Sequence, residues 1–225
     1  MWAIVAGAFA IGKSSQEITQ IVENIDYLKL IDLNLKDSIV SGKKVYELLE
    51  NIFWETKIES LKIKLKITAT NLKTGEKVVF TKGKITDAIR ASISLPSVFQ
   101  PFEIEGNLYL DGGLKSNLPI LCLENTNIIA VSVIRGEPVK IKTHKKIGIF
   151  ELKRSFWTFN YDILKQTIAH IMSQNEDSEK EIAELQGKNI TFIAPKVWNY
   201  EYFDFKKYQE IIQKWYDEVK NVLGK

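Results

Sequence analysis

The residue in this chain best placed to do chemistry is Asp111. It directly follows the apolar stretch Leu108-Tyr109-Leu110 and is followed by Gly112 and Gly113. Beyond the carboxyl end of a strand is where reactive groups collect in α/β sheets. The two glycines allow a sharp backbone turn there and leave room beside the carboxylate. A carboxylate so placed can take a proton from a hydroxyl nucleophile and pass it to a leaving alcohol. The plainer reading is a turn aspartate that caps the next helix. The only histidines, His144 and His170, stand in a basic run and on a predicted helix, outside any motif. A Ser-His-Asp triad therefore lacks a convincing histidine. Among the serines, Ser14 and Ser15 read as helix caps, Ser92 and Ser94 as structural, and Ser116 as exposed after the turn. None of them is expected to be a nucleophile. The single cysteine, Cys122, sits among Ile120, Leu121 and Leu123, reads as a buried thiol and excludes an internal disulfide. Neither a metal nor a cofactor is expected.

Asp111 belongs to a longer succession. Ala69-Thr70-Asn71-Leu72-Lys73-Thr74-Gly75-Glu76 comes first, then Ala88-Ile89-Arg90-Ala91-Ser92-Ile93-Ser94-Leu95-Pro96, then Leu110-Asp111-Gly112-Gly113, then Asn117-Leu118-Pro119-Ile120. Each phrase is weak alone. In this order and spacing they resemble the patatin-like phospholipase family of serine lipid acyl hydrolases. The likeness is close from Ala3 to about Arg135, looser from about Leu164 to Leu223, and slight over 136–163. The family's nucleophile elbow reads Gly-x-Ser-x-Gly and leads into a small-residue helix. Met1-Trp2-Ala3-Ile4-Val5-Ala6-Gly7-Ala8 resembles the segment just after that serine, with Trp2 where the second glycine stands. The resemblance implies a Ser-Asp dyad with Asp111 as its base, supported by Gly112 and Gly113. No residue of this chain is the nucleophile; it is expected immediately before Met1, with the Gly-rich oxyanion loop further upstream. The implied substrate is a phospholipid or another carboxylic ester, and the chain as it stands is expected to be inactive for want of the serine. The implied setting is cytoplasmic, with peripheral contact to a membrane. The alternative is an inactive relative that serves as a lipid-binding or interaction module.

Length and composition fit these implications. The 225 residues suffice for one large domain over 1–225. Lys+Arg exceed Asp+Glu by 31 − 28 = 3, too few to argue for a nucleic-acid partner. No apolar run approaches the roughly 18 residues needed to span a bilayer. Ala8-Phe9-Ala10 looks like a signal-peptidase site, but no basic segment precedes it, so the start reads as a helix. Residues 136–163 form a variable insertion. There Lys140, Lys142, Lys145, Lys146, Lys153 and Arg154 interleave with Phe150, Phe156, Trp157 and Phe159. That mixture suits an anionic lipid surface or a single-stranded nucleic acid; a solvated loop is the plainer reading and is favoured.

The elements that must position Asp111 emerge from periodicity. Residues 3–11 are small and apolar all round and predict a buried helix. Ser14 and Glu17 form a capping-box pattern, after which Ile18, Ile21, Val22 and Ile25 share a helical face. Residues 45–53 read as helix. The alternation over 62–68 predicts a strand with Ile63, Leu65 and Ile67 on one side. Lys73-Thr74-Gly75 is a turn into a strand at 77–80, and Thr86 is expected to cap a helix through Ile93. Strands at 102–105 and 108–110 should be joined by Gly106-Asn107. Asn117 and Pro119 mark a helix start, and 127–134 reads as a strand covered on both faces. A helix at 160–187 with a break near Asn175, a strand at 189–194 and an amphipathic helix at 205–222 complete the chain. Together these predict a three-layer α/β/α sandwich with a mostly parallel central sheet holding the strands near 63–70, 108–110, 128–134 and 189–194. In such a fold the Asp111 carboxylate lies near the N-terminal end of the 3–11 helix.

Overall fold

A computed structural model describes residues 2–26, 30, 41–96, 98–132, 149–195 and 207–224, with the backbone alone at 149–162 and 165. The chain falls into two compact units, Met1–Ser116 and Asn117–Lys225.

The first unit opens with three helices, α1 (Trp2–Ala10), α2 (Ser15–Asn24) and α3 (Lys43–Phe53). Ser14 caps α2 as its sequence requires: its Oγ accepts from the Glu17 N–H at 3.2 Å, and the Glu17 carboxylate accepts from the Ser14 N–H at 2.8 Å. The Ser14 N–H, and the Ser14 hydroxyl that also donates to the carboxylate at 2.8 Å, hold the Glu17 carboxyl below its usual range. Then come β1 (Ile67–Asn71), β2 (Lys77–Phe80), α4 (Ile85–Ser92), β3 (Phe102–Ile104), β4 (Asn107–Asp111) and α5 (Gly113–Ser116). The four strands form one sheet in the order β2-β1-β4-β3. Leu49 and Phe53 of α3, Ile85 and Ile89 of α4, Ala8 of α1, Ile58 and Ile67 make the core beneath it. Gly7 lets α1 approach that core: a Cβ there would lie 2.9 Å from Ile89 Cδ1 and 3.1 Å from the Phe53 ring.

The second unit holds β5 (Asn127–Val131), α6 (Ile149–Leu185), β6 (Asn189–Ile193) and α7 (Tyr208–Leu223). β5 and β6 pair in parallel from Asn127↔Asn189 to Val131↔Ile193, and α6 lies between them in the chain. A parallel pair needs such a crossover. Leu118, Ile120, Ile128, Ala130 and Ala183 form its core. Glu176 of α6 is fully buried and accepts from Asn117 Nδ2 and, at 2.6 Å, from Ser132 Oγ.

Several expectations need correcting. A mostly parallel sheet is not what the described strands form. All three pairings in the four-stranded sheet are antiparallel, and only β5–β6 is parallel. For two of the three antiparallel pairings the reason is local, while β1–β4 joins the two hairpins side by side. β1–β2 and β3–β4 are hairpins, and strands joined by a tight turn can only run antiparallel. The four strands expected in one sheet are thus divided, β1 and β4 in one and β5 and β6 in the other. Strand β1 begins at Ile67 rather than 62, because the four residues of β2 offer partners only to 67–70. Leu61 and Leu65 still pack on the core, while Ile63 is 45% exposed. The β3–β4 turn is Glu105-Gly106, with φ of 50° and 76°, one residue earlier than expected. In α1 the burial is one-sided, since Trp2 and Phe9 are exposed. In β5 it alternates, with Ile129 exposed, so one face is covered rather than both. Helix α6 starts at Ile149 and runs unbroken through Asn175. Pro119 precedes only a short 3-10 turn, Ile120–Cys122.

Thr86 does not cap α4. The cap position is Lys84, and the Thr86 side chain is buried with Oγ1 lacking a hydrogen-bond partner among the described residues. A buried hydroxyl without a partner costs about 1–3 kcal/mol in desolvation. Thr86→Val keeps the shape and removes the hydroxyl. Chemical denaturation is expected to show a gain of about 1 kcal/mol; a loss of stability would mean the hydroxyl is satisfied in solution.

Candidate active site

Asp111 is the last residue of β4 and pairs with Ala69 of β1. Its backbone is held on every side. The Asp111 N–H donates to Ser94 O at 2.9 Å, and the Gly112 N–H donates to Ser92 O at 3.3 Å. Thr70 Oγ1 donates to Asp111 O at 2.9 Å. The side chain bends toward α5: Asp111 Oδ1 accepts from the Gly113 N–H at 2.7 Å. Gly112 is there for space rather than for an unusual dihedral. A Cβ at that position would lie 2.2 Å from Thr68 O and 2.7 Å from Thr68 C. The phrases around Thr70, Ser94 and Asp111, separate in the sequence, therefore meet at one point.

The Asp111 carboxyl is pushed above the ordinary aspartate range. Burial is the main cause. The charge of the chain's amino terminus and the Gly113 N–H pull in the opposite direction. Burial disfavours the charged form, so this carboxyl stabilises the fold most below the ordinary aspartate pKa, about 3.9, and that contribution is lost as pH rises through the raised native value. Asp111→Asn keeps an acceptor for Gly113 and removes the titration. Its melting temperature relative to the parent is expected to climb between about pH 4 and neutrality. A difference that stays flat or falls would mean the carboxyl is not raised.

Arg90 is the site residue that sequence reasoning missed. It is buried, and its guanidinium donates to Ser94 Oγ at 2.7 Å, Ser41 O at 3.1 Å and Gly42 O at 3.4 Å. Its head also lies over the rings of Phe99 and Phe102. An arginine as the one charged residue of the 88–96 phrase was the available signal, since a buried charge needs such partners. Arg90 thereby fixes Ser94, whose carbonyl holds the Asp111 backbone. Ser94 is fully buried and Ser92 half-buried, as structural residues. Ser116, expected to be exposed, is buried beside Lys77 Nζ at 3.4 Å, because α5 folds back on β1.

Cys122 and His170 belong to the second unit. Cys122 is half-buried rather than buried. His170 is exposed on α6, and His144 lies outside the described residues, as do 136–148 of the basic-aromatic insertion. Among the described residues no group of three or more His, Cys, Asp or Glu could hold a metal, and no helix is long and apolar enough to cross a membrane. A cavity of about 630 Å³ between α2 and α3, lined by Ile21, Ile25, Leu48 and Ile52 among others, does not include Asp111.

With this geometry in place, comparison with known proteins is decisive on one point. Residues 3–123 match the family described as Patatin-like phospholipase. That span is 123 − 2 = 121 of the 225 residues, more than half. The chain belongs to the patatin-like phospholipase family. It is 32% identical over 143 residues to an uncharacterised NTE family protein of Mycobacterium bovis, covering 61% of this chain and 40% of that one. A second NTE family protein, from Mycobacterium tuberculosis, is 28% identical over 140 residues, 59% of this chain and 24% of its own length. Lysophospholipase NTE1 of Lodderomyces elongisporus is 24% identical over 190 residues, 78% of this chain and 13% of the fungal protein. The chain thus spans 40% or less of the length of these three relatives. The patatin-like match contains Asp111, Gly112 and Gly113 together with the β1, α4 and β4 phrases that converge on them.

Proposed function

We propose that this chain is the aspartate-bearing part of a serine acyl hydrolase acting on phospholipid or another carboxylic ester. In this reading Asp111 is the general base of a Ser-Asp dyad, and the serine hydroxyl stands at the head of α1. The observation that carries it is the carboxylate itself: half-buried at the end of β4, held by the Gly113 N–H, and raised above its ordinary range by burial. Membership of a phospholipase family and the similarity to a fungal lysophospholipase support the substrate class.

The chemistry rests on those positions. Asp111 takes the serine proton as Oγ attacks the ester carbonyl, then returns it to the departing alcohol. Water, deprotonated by the same carboxylate, then attacks the acyl-serine carbonyl; the acyl group leaves as the carboxylic acid and Asp111 returns the proton to the serine oxygen. A base with a raised pKa holds the proton more firmly during attack. Gly112 keeps Asp111 within reach by letting its turn sit directly on β1. The family's three-layer stacking and a single domain over 1–225 belong to this proposal; the match running from 3 to 123 across the boundary at Ser116 supports the second. The test is ester and lysophospholipid hydrolysis by the chain joined to a Gly-rich strand-helix and a Gly-x-Ser elbow, with and without Asp111→Asn.

A further inference from the structure

Trp54 makes no sense as a packing residue. It follows α3 with φ 52° and ψ −145°, a region that glycine occupies freely and a bulky residue only under strain. It is also 77% exposed. The fold thus holds a large aromatic at a strained position and leaves most of it in solvent. Strain of this kind collects where a residue serves something outside the fold.

Its surroundings say what that is. The stretch after Trp54 runs alongside the turn that ends β2. Lys57 and Lys84 form an antiparallel bridge, the Ile58 N–H donates to Gly83 O at 2.9 Å, and the Gly83 N–H donates to Glu59 Oε2 at 2.8 Å. Residues 57–59 and 83–84 thus join the segments 54–64 and 81–84 into one basic stretch. It carries Lys57, Lys62, Lys64, Lys82 and Lys84 against Glu55 and Glu59, or 5 − 2 = +3, equal to the formal net charge of the whole chain. Of the two acids, Glu55 is bound to Lys84 at 2.8 Å and Glu59 to the Gly83 N–H. Lys57, Lys62, Lys64 and Lys82 are exposed. Between Lys62 and Lys64 stands Ile63, exposed while Leu61 and Leu65 on either side pack inward.

We propose that this surface docks on an anionic phospholipid bilayer, with Trp54 and Ile63 entering the interface and the lysines meeting the head groups. Tryptophan is at home at that boundary because its ring is apolar and its N–H is polar. Lysines beside it add attraction that grows with the anionic lipid content. The choice of lipid rests on the phospholipid reading above. Binding is measured without turnover, so failure of one does not carry the other.

The experiment is sedimentation of the 225-residue chain with vesicles of phosphatidylcholine mixed with phosphatidylglycerol, and with phosphatidylcholine alone. Binding is expected only to the mixed vesicles and should fall steeply with salt. The pair Lys62→Gln and Lys64→Gln should weaken it about 30-fold, at about a factor of five per lysine. Removing two exposed lysines elsewhere, Lys73→Gln with Lys115→Gln, should change it by less than about twofold. Trp54→Gly is the sharper variant. It should lower binding about tenfold and raise the melting temperature, because glycine relieves the backbone strain. The proposal is overturned if the chain ignores the mixed vesicles, if the two lysine pairs lose binding equally, or if Trp54→Gly binds as well as the parent. It is also overturned if single-stranded oligonucleotides displace the chain from the vesicles through the same lysines.

Discussion

Joined to a Gly-rich strand-helix and a Gly-x-Ser elbow, with Trp2→Gly, this chain is expected to hydrolyse short acyl esters, and Asp111→Asn is expected to lower that rate by about 10⁴-fold. The asparagine keeps the shape and the Gly113 contact but cannot accept the serine proton, so the hydroxyl stays a poor nucleophile. The 225 residues alone contain no Gly-x-Ser-x-Gly, and their rate is expected to match the buffer blank. A base with neither an adjacent nucleophile nor oxyanion donors has no route to an acyl-enzyme. The acid limb of the pH profile should lie above the ordinary aspartate range, in line with the upward push that burial gives this carboxyl. Substantial hydrolysis by the unaltered chain that survives Asp111→Asn would remove Asp111 from the mechanism. A joined chain that folds but stays inert would favour an inactive relative that binds lipid.

Gly112→Ala is expected to cost about 3 kcal/mol, an overpacking effect at the upper end of its usual range. The new methyl would sit 2.2 Å from Thr68 O, a backbone atom that cannot swing aside as a side chain would. To make room, the end of β4 must lift from β1, loosening the Ala69↔Asp111 pairing and the Thr70 Oγ1 bond to Asp111 O. Thr68→Ala should not rescue the variant, because the closest contact is with the carbonyl oxygen. Gly75→Ala is the comparison. It has a positive φ of 69° but open space around it, and should cost only about 1 kcal/mol. Urea denaturation of the three variants decides the matter; a loss under about 1 kcal/mol for Gly112→Ala would show that β4 yields easily there.

Much of the structure around Asp111 was legible because it is written locally. The capping box of α2, both hairpins of the four-stranded sheet and the strand leading into Asp111 each depend on residues only a few positions apart. The family phrases gave the order in which to read them, and Asp111 stood out as a carboxylate between an apolar strand and two glycines. What the residues could not announce was anything decided by partners distant in the chain. The alternation over 62–68 is a good strand pattern, yet a strand exists only where another offers hydrogen bonds, and β2 stops at Phe80. The hairpins were visible, but their consequence for the sheet, that β1 must meet β4 antiparallel, depends on how the two hairpins lie together.

The same division runs through the chemistry. Residue types and their order along the chain determined which carboxylate to consider, which family to compare and which turns to expect. Only the tertiary structure decided that Gly112 is needed because Thr68 lies against it, that Arg90 is buried among carbonyls, and that Ser116 is hidden. It also decided that Trp54 stands out in solvent on a strained backbone beside lysines from two segments. Burial and contact are properties of pairs of segments far apart in sequence. A single chain, read residue by residue, carries the possibility of those meetings, while the packing of β1, α4 and β4 is what brings them about.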